Sequence, residues 1–229
     1  MNQEISPLKV AIVYYDRFAP LDAFGPLQAM NCSFDLDKDE KPDKSKPLFI
    51  NYSVGKHIGN IKIGAGLNGP EIYCSNNFNT LPPVDIVLIP GGAGSNAMVD
   101  DQNFINQIKI LVSKTPIVLS VCTGAAILAS TGFLDGKKAT SNKTRWDWVS
   151  SLGNNVLWQC PPRWLGNIDK MSRTGYMTSA GVAAGIDMML AVIRDLFGDK
   201  IVLNTQDLME YRWQDKPVID YFSSICKNC

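Results

Sequence analysis

A cysteine stands where a short apolar run gives way to an alanine-rich pattern, in VLSVCTGAAILAS over residues 118–130. Val118–Val121 has the character of a buried strand, and the residues after Gly124 have that of a helix. Cys122 therefore sits at a strand-to-helix join. There a thiol faces the free N–H groups of a helix start, which favour thiolate. Gly124 lets the chain turn sharply and the helix approach the strand. This is the strand–turn–helix logic of a nucleophile elbow. The structural alternative is a small buried core cysteine.

Two further stretches carry groups that such a thiol could use. VDIVLIPGGAGSN runs from an apolar strand into Gly91-Gly92, whose backbone N–H groups are unobstructed by side chains, as an oxyanion site requires. It is not a P-loop, because the Gly-Lys-Ser/Thr ending is missing. Asp22, in RFAPLDAFGPLQAM, precedes a helical run and reads either as a helix N-cap or as a carboxyl delivered to the same end of the molecule.

The elements that must position these residues alternate. Val10–Tyr15, Leu48–Val54, Asp85–Ile89 and Ile117–Val121 read as strands, several of them continuous apolar runs suited to burial on both faces of a parallel sheet. Asp22–Met30, Asn103–Val112 and Gly181–Phe197 repeat apolar residues at helical spacing. Alternation of this kind predicts an α/β sandwich with a mainly parallel sheet, whose ligands collect at the carboxyl ends of the strands. Phe34–Pro47 (FDLDKDEKPDKSKP) reads as a charge-dense loop within a surface insertion over 31–47. Pro161–Tyr176 reads as a hairpin before the long helix. The expectation is one domain over 1–229, with 213–229 as a C-terminal tail.

Composition narrows the classes. The 229 residues are 45% hydrophobic and 19% charged, and 22 basic residues balance 22 acidic ones, so no net field favours nucleic acid or anionic lipid. No apolar stretch reaches the ~18 residues of a membrane span, and the N-terminus lacks a secretory pattern, so the expected location is cytoplasmic. Six cysteines at scattered spacings suggest no disulfide framework and are expected reduced, with the terminal Cys226-Lys-Asn-Cys229 as an incidental pair. No Cys/His/carboxylate cluster has metal-ligand spacing, and no GxGxxG fingerprint is present, so neither metal nor cofactor is expected.

With these residues in hand, the sequence resembles the DJ-1/PfpI superfamily, through IVLIPGGAGS, SVCTGAAILASTGFLDGKKATSN and TSAGVAAGIDMMLAVIRDLFG. Within it the chain is most similar to the isonitrile hydratase-like branch. The LDxxGP segment from Leu21 to Pro26, Cys122-Thr123-Gly124 and the SAGxxAGID segment from Ser179 to Asp187 carry that likeness. The resemblance implies a flavodoxin-like three-layer sandwich of the class I glutamine amidotransferase type. It also implies Cys122 as reactive thiol, Asp22 as the acid hydrogen-bonded to it, Thr123 as a substrate-orienting residue, and a homodimer. The implied reaction adds water to a small isonitrile to give an N-substituted formamide. The alternatives are a redox-responsive protein whose elbow cysteine is oxidised, and a glyoxalase-like activity on 2-oxoaldehydes. Many relatives place a histidine shortly after the elbow helix, where this chain has Asn142, a pocket candidate that takes no proton at neutral pH. The single histidine, His57, lies in a polar loop. Asp187 matches the motif without an assigned role, and Trp146, Trp148, Trp158 and Trp164 suit core or interface equally.

Overall fold

The computed structural model describes residues 6–66 and 69–226. A seven-stranded sheet lies at its centre. Its spatial order is Trp164–Asp169, Thr174–Ser179, Ile117–Val121, Ile86–Ile89, Leu8–Val13, Phe49–Gly55 and Asn76–Asn77. Every pairing is parallel except the hairpin of Trp164–Asp169 with Thr174–Ser179. Helices Pro20–Asn31, Ala184–Phe197 and Asp199–Met209 pack against one another. Ser95–Asp100, Gln102–Lys114, Gly124–Ser130 and Trp146–Ser150 form a second group. The result is the expected flavodoxin-like three-layer sandwich, and its strand order reverses between Leu8–Val13 and Ile86–Ile89.

The central strands form because they are apolar on both faces. Ile86–Ile89 and Ile117–Val121 are buried at every position, and a single buried cluster extends from Leu8 to Val202. Register brings their ends into line, with Ile89 opposite Ser120 and Ser179 opposite Val121. The residues that follow, Gly91-Gly92 and Cys122, emerge side by side at the sheet's carboxyl edge, next to the topological switch point where ligands bind in this architecture.

Two motifs hold the first helix against the elbow. Gly25 lies so close to Ile186 that a Cβ there would meet its Cγ1 at 2.7 Å. A Cβ on Gly185 would meet the Val121 methyls at 2.8 Å and the Pro26 ring at 3.4 Å. The LDxxGP and SAGxxAGID segments thus interlock, and their small residues set how near Asp22 comes to the end of the Ile117–Val121 strand.

Several expectations are corrected. Phe34–Pro47 is not an open loop: Phe34–Leu36 pairs antiparallel with Pro42–Pro47 across a turn in which Asp37 accepts from the Asp39 and Lys41 N–H groups. Its charged strands are half-buried to exposed, so no apolar alternation announced them. Just before it, Asn31 ends the first helix, and Ser33 is buried and hydrogen-bonded to Thr205. Asp199–Met209, a helix the sequence reading passed over, follows Gly198, whose φ of 95° separates it from the long helix.

The described part of the C-terminal tail is tied down. Buried Arg163 donates from Nε to Asp187 Oδ2 at 2.8 Å, and its Nη1 lies 3.5 Å from Asp220 Oδ1. Asp187 also accepts from Tyr211 Oη and the Gln214 N–H, both at 3.1 Å, while its carbonyl accepts from Trp213 Nε1. Asp187 is thereby the anchor of the tail, and its place in the motif is structural. Removing Arg163 would leave two buried carboxylates, Asp187 and Asp220, without their shared cation. The Arg163 N–H bonds the Pro217 carbonyl and the Asp220 N–H bonds that of Pro161, which lays the tail beside Cys160. Cys160 is disulfide-bonded, against the expectation of six reduced thiols, while Cys32, Cys74, Cys122 and Cys226 are free. Of the terminal Cys226-x-x-Cys229 pair, Cys229 lies outside the described residues. No helix among those described is long and apolar enough to cross a membrane.

Candidate active site

Cys122 has φ 58°, a left-handed conformation uncommon for a residue with a side chain. It is held there on both sides. Its N–H donates to the carbonyls of Ser179 and Ala180, and its carbonyl accepts from Ser141 Oγ at 2.7 Å. Strain of this kind, retained only because the surroundings over-determine it, is what an elbow uses to present a side chain. The following helix, Gly124–Ser130, can begin immediately because Gly124 nests against the Ile89 carbonyl, 2.2 Å from where a Cβ would stand.

Asp22 reaches the same point from the first helix. It is not the N-cap of that helix. Ala19 occupies the cap and Pro20 opens the first turn, so Asp22 lies inside it, fully buried. Pro26 removes the N–H that would otherwise bond the Asp22 carbonyl. Asp22 Oδ2 accepts from the Gly91 N–H at 3.0 Å. Oδ1 has no well-formed hydrogen bond, although carboxyl and thiol are close enough to shift each other's titration.

Burial raises the Asp22 carboxyl to about 7, against the smaller opposing pull of the Gly91 N–H and the thiol. Burial and the neighbouring carboxylate push the Cys122 thiol well above its ordinary value, opposed by contacts from Thr123 and Asn142. The sequence reading expected the helix start to favour thiolate. The structure reverses that expectation, because desolvation and a like charge outweigh a helix of only seven residues. Thiol and carboxyl form one coupled acid–base unit.

Asn142 completes the surroundings of the sulfur. Its Nδ2 donates to Cys122 Sγ at 3.2 Å. The amide orientation is fixed by its other end, where Oδ1 accepts from the Thr144 N–H, Thr144 Oγ1 and the Arg145 N–H. Asn142 therefore gives the sulfur a hydrogen-bond donor with no basicity. His57 is exposed in the segment after Phe49–Gly55 and does not line the cavity over Cys122.

The glycine pair behaves differently from expectation. The Gly91 N–H is committed to Asp22, and the Gly92 N–H donates to Thr123 Oγ1 at 2.9 Å. Ser95 Oγ donates to the same hydroxyl at 2.8 Å. Neither glycine N–H is thus free to receive an oxyanion. Gly91 and Gly92 instead lock Asp22 and Thr123 in place, and Gly92 with φ 131° packs where a Cβ would lie 2.3 Å from the Ala19 nitrogen.

Gly181 was missed in the sequence because it looks like any glycine before a helix. A Cβ there would fall 2.3 Å from Asn142 Nδ2 and 2.8 Å from Cys122 Sγ. Only glycine lets the amide touch the sulfur. Gly181→Ala is expected to displace Asn142 and cost about tenfold or more in any Cys122-dependent rate, since one preorganised donor is lost. Steady-state kinetics beside thermal unfolding check it, and an unchanged rate would remove Asn142 from the site.

A cavity of about 400 Å³ opens over the thiol, walled by Ala19, Ala93 and Val182, with Gly92 and Thr123 beside Cys122 and with Asn96 and Arg145 also lining it. Arg145, another residue the sequence reading passed over, is the only charged side chain of its lining among the described residues. Among the described residues, no group of three or more His, Cys, Asp or Glu side chains is placed to hold a metal ion.

Comparison with known proteins bears on family and fold. The model of the DJ-1/PfpI family matches residues 51–195. The isonitrile hydratase of Pseudomonas putida is 30% identical over 205 residues, which cover 89% of this chain and 78% of that protein. Among solved structures, a ThiJ/PfpI family protein from Pseudomonas syringae superposes with a TM-score of 0.74 at 23% identity, over 92% of this chain and 78% of that one. Drosophila melanogaster DJ-1beta does so with a TM-score of 0.70 at 16% identity, over 91% and 100%.

Proposed function

The chain belongs to the DJ-1/PfpI family, and we propose that it is a cysteine-dependent hydratase that adds water to an isonitrile to give an N-substituted formamide. The observation that carries this reading is the pairing of Cys122 with a buried carboxyl and a non-basic amide, with no histidine at the sulfur. A homodimer belongs to the same reading, and exposed Tyr221 and Phe222 offer apolar surface for it.

Such a pair suits a carbon that is both basic and electrophilic, as the terminal carbon of R–N≡C is. When the pair holds one proton, that proton can pass from sulfur to Asp22. Asp22 then protonates the isonitrile carbon while the Cys122 sulfur bonds to it, giving the thioimidate R–N=CH–S. Asp22, now a carboxylate, takes a proton from the water that attacks the same carbon and delivers it to nitrogen. The C–S bond breaks, sulfur leaves with its electron pair, and the hydroxyl proton returns to the pair as R–NH–CHO forms. Asn142 Nδ2 supports the sulfur whenever it is anionic. No step needs a base stronger than a carboxylate.

The same coupling fixes a pH profile. Below the Asp22 value both groups are protonated and the thiol has no acceptor; above it the pair holds the single proton the reaction uses. kcat/KM is expected to rise through a midpoint near pH 7 and then stay level into the alkaline range, because the thiol is pushed up. Rates of formamide release across pH 5 to 9 would check this, and a bell centred near neutrality would indicate a different acid–base pair. The redox alternative is less favoured by the site. A thiol 5% exposed and held protonated offers peroxide little thiolate to attack.

A further inference from the structure

We propose that the cavity over Cys122 selects substrates that carry a carboxylate, and that Arg145 is the residue that reads it. The inference rests on Cys122 as the nucleophile. Three of the walls, Ala19, Ala93 and Val182, are small and apolar, so the reacting end of a ligand gains no polar anchor from them. Among the described residues, the one charge in the lining is the Arg145 guanidinium. It is positioned rather than free, since Nη2 donates to Asn96 Oδ1 at 3.3 Å and the group lies over the Trp148 ring at 5.2 Å. No carboxylate lies within ion-pair distance of it among the described residues. The other cation nearby, Lys143, is already committed. It is buried and donates to Thr140 Oγ1, the Ser141 carbonyl and the Pro162 carbonyl.

A guanidinium offers five donors in a planar fork that fits a carboxylate, and here one of them is engaged. Its placement also answers a problem set by the site itself. Asp22 is ionised above about pH 7, and an anionic ligand approaching Cys122 would be repelled without a compensating charge. A small apolar spacer with the reactive carbon at one end and a carboxylate at the other satisfies the thiol, the walls and Arg145 together. The substrate class is thus a short-chain isocyano acid rather than a neutral isonitrile.

Alkylation tests this without any isonitrile. Iodoacetate and 3-iodopropionate, each beside its neutral amide, are presented to the whole protein, and modification of Cys122 is followed by site-resolved mass spectrometry. In each reaction the sulfur displaces iodide from carbon, the C–I electron pair leaves as iodide and the thiol proton passes to Asp22. The acid-to-amide rate ratio is normalised to that of glutathione. That ratio is expected to be about tenfold higher in the wild type than in Arg145→Gln, with Arg145→Lys between them and added salt reducing the difference. Equal ratios in wild type and Arg145→Gln would overturn the proposal. So would a Cys122 that reacts with none of the reagents, because the cavity would then admit no carboxylate to the thiol. Failure of the hydratase reading looks different: the acid preference persists while neither isocyanoacetate nor its methyl ester yields a formamide.

Discussion

Cys122→Ala is expected to abolish formamide production, and Cys122→Ser to lower it nearly as far, by roughly 10³-fold or more, with the fold intact in both. The serine variant is the informative one. It keeps the shape of the side chain and the contact with Asn142, yet a hydroxyl at this position has only a carboxylate of about 7 to take its proton. A cysteine–histidine site would meet the same loss for a different reason, so the comparison gains force with His57→Ala. That change alters an exposed side chain which does not line the cavity. Product assays on the three variants, with circular dichroism to establish folding, settle the point. Turnover by Cys122→Ala would show that sulfur forms no bond to substrate, and the mechanism would fall.

Much of this site was legible because local pattern and topology do most of the placing. An apolar run ending at Val121 and a Thr-Gly pair after the cysteine were enough to expect an elbow, and the strand order carries that elbow to the edge where Gly91-Gly92 emerges. What pattern cannot show is partnership across the chain. The Gly91 N–H meets Asp22 over 69 residues and the Gly92 N–H meets Thr123 over 31, so two donors that looked free are spent on positioning the site. Asp22 was open to reading as a cap because it precedes apolar periodicity; Pro20, two residues earlier, was the signal that the helix had already begun. Gly181 and Arg145 left no trace in periodicity, since one acts by lacking a side chain and the other by lining an open cavity. The same limit explains the charged hairpin at 34–47, whose half-buried to exposed strands are too short and too charged to stand out as strands.

The thiol's titration was misjudged for a related reason. A helix start after the cysteine is visible in sequence, but the depth of burial and the approach of a carboxyl are not. Those two effects decide the sign here. Under the proposed function, reactivity at Cys122 would belong to the pair rather than to the cysteine, and Asp22 would carry its consequences for stability as well as for rate.

Asp22→Asn is expected to move activity and stability in opposite directions. The amide keeps the shape and can accept from the Gly91 N–H, but it neither takes the thiol proton nor delivers one to carbon, so the rate should fall by roughly 10²-fold or more. Stability follows from linkage. The folded protein holds the Asp22 proton up to about pH 7, whereas the unfolded chain releases it near 3.8. Across that window the folded state binds more protons than the unfolded one, so wild-type stability falls as pH rises and then levels off. An asparagine has no such dependence. At pH 8 the variant should be more stable than wild type by about 2–4 kcal/mol, a rise of roughly 5–10 °C in Tm, and the advantage should vanish as pH falls to about 4 and below. A carboxyl kept only to hold the first helix against the elbow would give the reverse, a loss of stability with little effect on chemistry. Thermal melts at pH 4 and pH 8, read beside formamide production, separate the two. If Asp22→Asn melts lower than wild type at pH 8 and still hydrates isonitriles at the wild-type rate, Asp22 is a structural residue and the proton path runs elsewhere.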